Sequence, residues 1–183
     1  MFDEEKTINE ILKGNLGAFQ SIVKQYQNLV YSILNRLLSN DEDIEDVGQE
    51  VFIKVYDQLK NFKRESKLST WIAKITYNIA VNYLKKNSKY QFNSIDDDSD
   101  FRFSSETPET KLIGKEFDLY INRLISELPL PYRTVITLYH LDDFSIQEIQ
   151  KITKFPEGTI KGYLFRARKL LKEKLEKDGY QSR

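Results

Sequence analysis

The chain has 183 residues, 40% of them hydrophobic and 31% charged, and its 28 basic residues are balanced by 28 acidic ones. This composition fits one ordinary globular domain or two small ones, and the zero net charge argues against a protein that coats nucleic acid by bulk charge. With no cysteine and one histidine, disulfides, thiolate zinc sites and multi-histidine metal sites are excluded, and we expect no cofactor. No apolar run approaches the roughly 18 residues of a membrane span, and the acidic start does not resemble a signal peptide, so we expect a cytoplasmic protein.

The charged residues are arranged in alternating blocks along the chain. Residues 41–57 carry a net charge of −6, and residues 60–89 carry a net charge of +7. Residues 91–110 return to −5, and residues 154–174 to +5. One such block is often ordinary solvated surface, but four alternating blocks favour separate partners for separate faces.

Apolar residues at three- and four-residue steps predict three helices in the first half of the chain. The first carries an apolar stripe over residues 16–37 and is interrupted at residues 39–41. The second has its stripe at residues 44–59. A polar loop follows over residues 61–69, and the third helix occupies residues 69–86.

The third predicted helix has a polar stripe beside its apolar one. Five residues lie three or four apart and share this face: Trp71, Lys74, Asn78, Asn82 and Lys85. Asparagine is a poor residue for a helix interior, but amides can read base edges, and aromatic rings stack on unpaired bases. Together with Phe62 and three basic residues in the preceding loop, the stripe suits contact with DNA that is being opened. On spacing alone, a core tryptophan with exposed polar neighbours fits equally well.

Residues 91–110 differ from the rest of the chain, because they are rich in serine and aspartate and have no helical period. We predict that this segment is a flexible acidic linker between two helical domains. Phe101 and Phe103 are unusual residues for a linker and suggest that part of it docks on a domain.

The segment over residues 145–171 predicts a helix-turn-helix. Ser145 and Glu148 form an S-x-x-E capping box at the start of a short helix, and Pro156 fits the first turn of a longer basic one. At 100° per residue, one side of the longer helix is apolar from Ile160 to Leu175. The opposite side carries Lys161, Gly162, Phe165, Arg166, Arg168, Lys169 and Lys172. Such a face suits base edges and phosphates, although a solvated amphipathic helix has the same pattern.

The elements QEVF and STW occur within residues 41–86, and PYRTV, GTIK and RARKLL occur within residues 127–175. On these elements the chain resembles bacterial RNA polymerase sigma factors of the extracytoplasmic-function (ECF) group of the sigma-70 family. The resemblance implies an all-α fold of two small helical domains. Sigma region 2, a helical bundle, would occupy residues 1–90, the acidic linker residues 91–110, and sigma region 4, with the helix-turn-helix, residues 111–183.

The resemblance implies two roles for region 2. Its acidic helix would bind the clamp helices of the polymerase β′ subunit through Asp43, Asp46, Gln49 and Glu50. The next loop and helix would recognise and melt the promoter −10 element and capture an unstacked base. The matching positions are Phe62, Lys63, Ser66, Ser69, Thr70, Trp71, Asn78 and Asn82, to which the stripe adds Lys74 and Lys85. Gly48 stands where the family usually has an apolar residue, which predicts either a softer helix or unusually close packing.

For region 4, the resemblance implies recognition of the duplex −35 element and binding of the polymerase β flap. The DNA-binding positions are Thr159, Lys161, Gly162, Phe165, Arg166 and Arg168, and Lys169 lies on the same face. The flap would meet the hydrophobic surface around residues 132–141, including Tyr132. Proteins of this family are typically held by an anti-sigma factor, which is a further expected partner.

The first hypothesis is therefore an alternative sigma factor without enzymatic activity. A helix-turn-helix regulator without sigma activity is the alternative, but it leaves the Trp71 stripe and the acidic helix without a role. An enzyme such as a nuclease is the third hypothesis, and the sequence contains no recognisable catalytic constellation for it. His140, in an apolar helix, is expected to be structural.

Overall fold

A computed structural model describes residues 2–87, 102–103 and 115–180, and the regular elements in these ranges are all helical. The α-helices are α1 (Glu4–Leu12), α2 (Leu16–Leu37), α3 (Asp41–Gln58), α4 (Leu68–Lys86), α5 (Lys115–Glu127), α6 (Leu130–Ile136), α7 (Ile146–Thr153) and α8 (Glu157–Lys177). The predicted all-α fold class is therefore confirmed. Apart from Arg102 and half-buried Phe103, the predicted linker, including Phe101, lies outside the described residues, so its bounds remain predictions.

The helices form two compact units, one built around α1–α4 and one around α5, α6 and α8. In the first unit, α2, α3 and α4 pack together and α1 packs on α2. Their core consists of fully buried aliphatic residues, among them Ile22, Val30, Leu34, Val51, Val55, Leu68 and Ile72. Burial of each such side chain contributes about 1.5–3 kcal/mol, so tertiary packing rather than helix propensity holds the unit together.

Side-chain caps determine where the first three helices begin. Asp3, Asn15 and Asn40 accept hydrogen bonds from backbone N–H groups in the first turns of α1, α2 and α3. Such caps satisfy donors that have no partner within the helix. The predicted helix over residues 16–37 is confirmed at both ends, whereas α1 is an element that the apolar pattern did not indicate.

In the second unit, α6 begins after Pro129 and continues into a π-helical segment, Thr137–Leu141. The end of α8 is fixed by a buried ion pair, in which Lys174 Nζ lies 3.0 Å from Asp178 Oδ1 with the two side chains 8% and 1% exposed. Tyr120 of α5 donates a second hydrogen bond to Asp178. Lys174, which the sequence placed in a basic block, is therefore a core residue.

None of the helices within residues 2–87 and 115–180 has the length and apolar character to cross a membrane.

Candidate functional site

One face of α3 carries the acidic side chains predicted to bind polymerase. Asp46, Gln49 and Glu50 are exposed and Asp43 is half-buried, because the opposite, apolar face of the helix packs into the core. The acids in the first turn interact favourably with the positive end of the helix dipole. The structure thus brings all four predicted residues together on one helix face.

Asp43 also connects α3 to α4. The Tyr83 hydroxyl donates a hydrogen bond to the Asp43 carboxylate, and this bond, with a smaller contribution from burial, raises the pKa of Tyr83. The acidic helix and the helix predicted to contact DNA are therefore joined by a polar contact at their surface. Tyr83 was not among the predicted site residues, and nothing in its spacing distinguishes it.

Gly48 lies on the inner side of α3 against the ring of Tyr31 from α2. A Cβ built at this position would lie 3.0 Å from Tyr31 Oη and 3.1 Å from two ring carbons. Contacts this short force a neighbour to move, so any larger residue would displace the ring. Of the two expectations for Gly48, close packing is the one that the structure confirms.

The loop between α3 and α4, residues 62–67, contains a left-handed residue and an aromatic contact. Phe62 packs against Trp71 with ring centroids 5.2 Å apart and an interplanar angle of 46°. Arg64 has a φ of 58°, which is a left-handed backbone conformation that costs an L-residue about 1–2 kcal/mol. Its guanidinium makes an exposed 2.6 Å ion pair with Glu5 of α1. Helix α1, which the sequence did not connect with this loop, therefore contacts it directly.

The polar stripe of α4 lies at the protein surface. Trp71 and Lys74 are half-buried, and the remaining three members, Asn78, Asn82 and Lys85, are exposed. The alternative of a core tryptophan is therefore wrong. In the loop and first turn, Lys63 is exposed, and Phe62, Ser66 and Ser69 are half-buried.

Thr70 departs from its predicted role. Its side chain, in the first turn of α4, is 1% exposed. A residue this deeply buried offers no surface to DNA, so its predicted contact with the −10 element is not supported. The neighbouring positions 69 and 71 remain accessible.

The helix-turn-helix, formed by α7 and α8, begins with the predicted capping box. Glu148 accepts hydrogen bonds from the backbone N–H and hydroxyl of Ser145 at 2.9 and 2.8 Å, and the Glu148 N–H donates back to the Ser145 hydroxyl at 3.3 Å. Lys154 then turns the chain through a left-handed conformation, with a φ of 68°. Pro156 is the N-cap of α8 rather than a residue of its first turn.

The outer face of α8 carries charged side chains, an exposed aromatic ring and a glycine. Phe165 is 69% exposed, and a Cβ built at Gly162 meets no other atom within 4 Å. Lys161 and Lys169 are exposed and form ion pairs with acids one turn away, at 2.6 and 3.9 Å. Thr159 is half-buried in the first turn. The described surface therefore has space for a partner to approach the backbone at position 162.

Arg166 and Tyr132 are placed differently from the other predicted residues. Tyr132 is 0% exposed, since its ring packs against Tyr163 with centroids 5.2 Å apart. Arg166 is half-buried, and its terminal nitrogen lies 3.5 Å from the Tyr132 hydroxyl. The predicted contact of Tyr132 with polymerase therefore needs correction, because the residue belongs to the core and offers no surface to a partner.

Arg168 is exposed on α8 and contacts the π-helical segment. Its Nε donates a 3.0 Å hydrogen bond to His140 Nε2, and its guanidinium carbon lies 5.5 Å from the centre of the Tyr139 ring. Burial, and then the positive charge of Arg168, lower the pKa of His140. His140 was expected to be a structural residue of an apolar helix, but the residue is exposed, so the burial that lowers its pKa is only partial.

An apolar groove of about 420 Å³ lies beside these residues in the second unit. Its apolar walls are formed by Phe117, Ile125, Ile136, Leu171 and Leu175. The side chains of His140, Arg168 and Lys172 add polar and basic groups to its lining. Leu171 and Leu175, predicted to be buried with Ile160, thus line a surface groove instead.

Comparison with known proteins now places the chain in a family. The model of Sigma-70 region 2 matches residues 22–90, and that of Sigma-70 region 4 matches residues 118–171. The "ECF RNA polymerase sigma-E factor" of Haemophilus influenzae is 32% identical over 94% of this chain and 95% of its own length. The chain belongs to the ECF sigma-70 factors. The Bacillus subtilis "ECF RNA polymerase sigma factor SigW" is 32% identical over 93% of this chain and 96% of its own length.

Two solved structures share the fold of this ECF sigma factor. CnrH, in complex with the cytosolic domain of CnrY, has a TM-score of 0.67 and 17% identity, covering 94% of this chain and 96% of CnrH. The sigma factor RpoE of Bartonella quintana, in complex with the anti-sigma factor NepR, has a TM-score of 0.66 and 20% identity, covering 86% of this chain and 96% of RpoE.

Proposed function

We propose that this ECF sigma factor binds RNA polymerase core and directs initiation at promoters that carry specific −35 and −10 elements. The observation that carries the proposal is the surface of the first unit. There an aromatic pair, Phe62 and Trp71, continues into an exposed row of amides and a lysine. A protein that recognises only duplex DNA needs no such row of aromatic and amide side chains. A protein that captures unpaired bases uses aromatic rings to stack on them and amides to bind their edges.

The proposed mechanism divides recognition between the two units. The outer face of α8 enters the major groove of the −35 element, where phosphate contacts position it and base contacts add specificity. The loop over residues 62–67 and the stripe of α4 then bind opened bases of the −10 element. Because they bind the unpaired state better than the duplex, they shift the equilibrium towards the open promoter.

Polymerase binding is assigned to two surfaces. The exposed acids of α3, Asp46 and Glu50 with Gln49 between them, would pair with a basic helical partner, the β′ clamp. In the second unit, the apolar groove beside α8 and exposed Leu141 replace Tyr132 as the proposed contact of the β flap. An apolar helix seated in the groove would cover side chains that water otherwise contacts.

The experiment that tests the function is in vitro transcription with purified core polymerase on a library of promoter fragments. We expect transcripts from a small set of fragments that share −35 and −10 elements, and none with core polymerase alone. The isolated protein should bind the same fragments weakly. Tight, specific binding without polymerase would contradict the proposed mechanism.

Two charge reversals separate the proposed surfaces. Lys161→Glu with Arg168→Glu should weaken promoter binding of the holoenzyme. Asp46→Lys with Glu50→Lys should weaken binding to core polymerase. If both double variants behave like wild type in both assays, the division of charge is wrong.

The helix-turn-helix regulator without sigma activity has no observation in its favour, because it gives the surface of the first unit no role. A 1:1 complex with core polymerase would exclude it. Members of the sigma family are DNA-binding regulators, and we propose that this chain carries no catalytic activity and acts in the cytoplasm. By analogy with the sigma factor RpoE, whose structure contains the anti-sigma factor NepR, we also propose an anti-sigma factor that covers the α3 and α8 surfaces.

A further inference from the structure

The only histidine of the chain contacts an arginine that is predicted to bind DNA. His140 Nε2 accepts a 3.0 Å hydrogen bond from Arg168 Nε, and the guanidinium also lies over the Tyr139 ring. A long, exposed side chain loses rotamer freedom when it binds a ligand, at a cost of about 1.5–2 kcal/mol. The two contacts restrict Arg168 before any ligand arrives.

The donor atom decides which edge of the guanidinium remains available. An arginine has five N–H donors in a planar fork. Because Nε is engaged by His140, the edge formed by the two terminal nitrogens remains for an acceptor outside the protein. That edge can bind O6 and N7 of a guanine, or two oxygens of a phosphate, in a bidentate manner.

The π-helical segment places the imidazole where it can make this bond. Thr137 and Leu138, at its start, are buried, whereas His140 and Leu141, at its end, are exposed. The wider turn therefore carries the chain from the core to the surface next to α8. Insertions of this kind are frequently found at functional sites in helices.

We propose that His140 is a positioning residue for −35 recognition: its neutral imidazole holds Arg168 with the terminal nitrogens available to DNA, and protonation of the ring releases the arginine. This inference rests on the proposed sigma function. The contact between the two side chains, however, can be tested without DNA.

The surroundings of the imidazole determine the direction of the pH dependence. Besides Arg168, the groove it lines contains Lys172 and Glu176 of α8 and Tyr180 beyond its end, whereas α5 contributes the apolar Phe117 and Ile125.

Burial and then Arg168 lower the pKa of His140 from the usual 6.5, so above this pH the ring is neutral and Nε2 is an acceptor. Below its lowered pKa the ring is a charged donor, which cannot accept from Arg168 and repels it.

Proton NMR of the full-length chain tests the contact directly, because a single histidine gives one Cε1–H signal to titrate. We expect a midpoint below 6.5 in the wild type and a higher midpoint in Arg168→Ala. Lys177→Ala removes the same charge from an exposed position on the same helix and should leave the midpoint unchanged, because solvent and salt screen it. A midpoint that Arg168→Ala does not move overturns the proposal.

Promoter binding by the reconstituted holoenzyme tests the role. With a duplex −35 fragment at neutral pH, His140→Ala should weaken −35-dependent binding by about three- to tenfold, which corresponds to the net contribution of a typical hydrogen bond. His140→Gln should stay within about twofold of wild type, since its amide oxygen can accept from Arg168. In an Arg168→Ala background, His140→Ala should have no further effect.

The pH profile separates positioning from a purely structural role. Between about pH 8 and about pH 5.5, wild-type affinity relative to His140→Gln should fall towards that of His140→Ala. If the affinity of the wild type relative to His140→Gln rises at low pH, protonated His140 itself binds phosphate. If His140→Ala and His140→Gln lose the same promoter affinity, the hydrogen-bond acceptor at position 140 is irrelevant. Either result contradicts the proposal. If wild-type holoenzyme lacks promoter-specific transcription, the sigma function fails, and the NMR midpoint still reports on the pair.

Discussion

The two units hold their proposed DNA-binding side chains in different ways. In the first unit, the loop before α4 depends on contacts from other helices, since Glu5 of α1 pairs with Arg64 and Phe62 packs on Trp71. In the second unit, Lys161 and Lys169 of α8 are paired with acids of the same helix, and Arg168 contacts His140 of the π-helical segment. A helix that reads duplex DNA keeps its backbone shape through its own hydrogen bonds. A loop that receives an unstacked base must keep a shape that its own backbone disfavours, and it therefore needs support from outside.

The largest expected effect concerns Asp178, which links the end of α8 to Tyr120 of α5. Asp178→Ala leaves the Lys174 charge buried without its acid and removes the acceptor of Tyr120. We expect a loss of about 3–5 kcal/mol in the free energy of unfolding of this unit. Urea unfolding followed by circular dichroism measures it, while Trp71 fluorescence reports separately on the first unit. Glu176→Ala, which removes an exposed 3.6 Å ion pair with Lys172, is the control and should change stability by less than about 0.5 kcal/mol.

Two glycine substitutions compare the packing of the units. Gly48→Leu should lower the free energy of unfolding of the first unit by about 1–3 kcal/mol, because its side chain must displace the Tyr31 ring. Gly162→Ala should raise that of the second unit by about 0.5–1 kcal/mol, because the position is helical and open. Thermal unfolding of both variants measures the difference. A stable Gly48→Leu variant would show that the interface between α2 and α3 adapts easily.

Replacing one aromatic residue of each unit by alanine distinguishes recognition of opened DNA from recognition of duplex DNA. Trp71→Ala should weaken holoenzyme binding to a single-stranded −10 oligonucleotide by about tenfold, the loss of roughly one stacked base. Its binding to a duplex −35 fragment should not change. Phe165→Ala should have the reverse pattern, because Phe165 lies on the outer face of α8. Fluorescence anisotropy with both DNAs tests the assignment, and equal losses on the two DNAs for either variant would contradict it.

The smallest expected effect is that of the ion pair between α1 and the loop. Glu5→Gln should reduce the rate of open-complex formation by about twofold, since an exposed pair contributes about 0–1 kcal/mol. Glu10→Gln, which removes an exposed 3.8 Å pair with Lys13 on the same helix, is the matched control. If the two variants have the same rate, α1 does not support the loop.

The elements predicted most accurately depend on local sequence. The bounds of α2, the capping box of Ser145 and Glu148, and the exposed face of α8 follow from helix periodicity and neighbouring side chains. Helix α1 was missed because its apolar pattern is short and its position is decided by contacts such as the 2.8 Å hydrogen bond from Tyr26 to Glu4.

The errors at Thr70 and Tyr132 have a common cause. A motif identifies a stretch of chain, but the direction of each side chain depends on where the helix meets its neighbours. Both residues lie in the first turn of a helix, and both are buried in the folded protein. The same limitation applies to His140, because no local pattern indicates the π-helical segment that brings it to the surface beside Arg168.

The sequence by itself determined the helices, the alternation of charge and the family, because periodicity, caps and motifs are local properties of the chain. The tertiary structure alone decided which of the candidate residues are accessible and which are held by distant partners. Glu5 with Arg64, Asp43 with Tyr83 and His140 with Arg168 are pairs separated by many residues. Such pairs exist only after the apolar faces of the helices have packed, and it is this packing that converts a net charge of zero into separate acidic and basic surfaces.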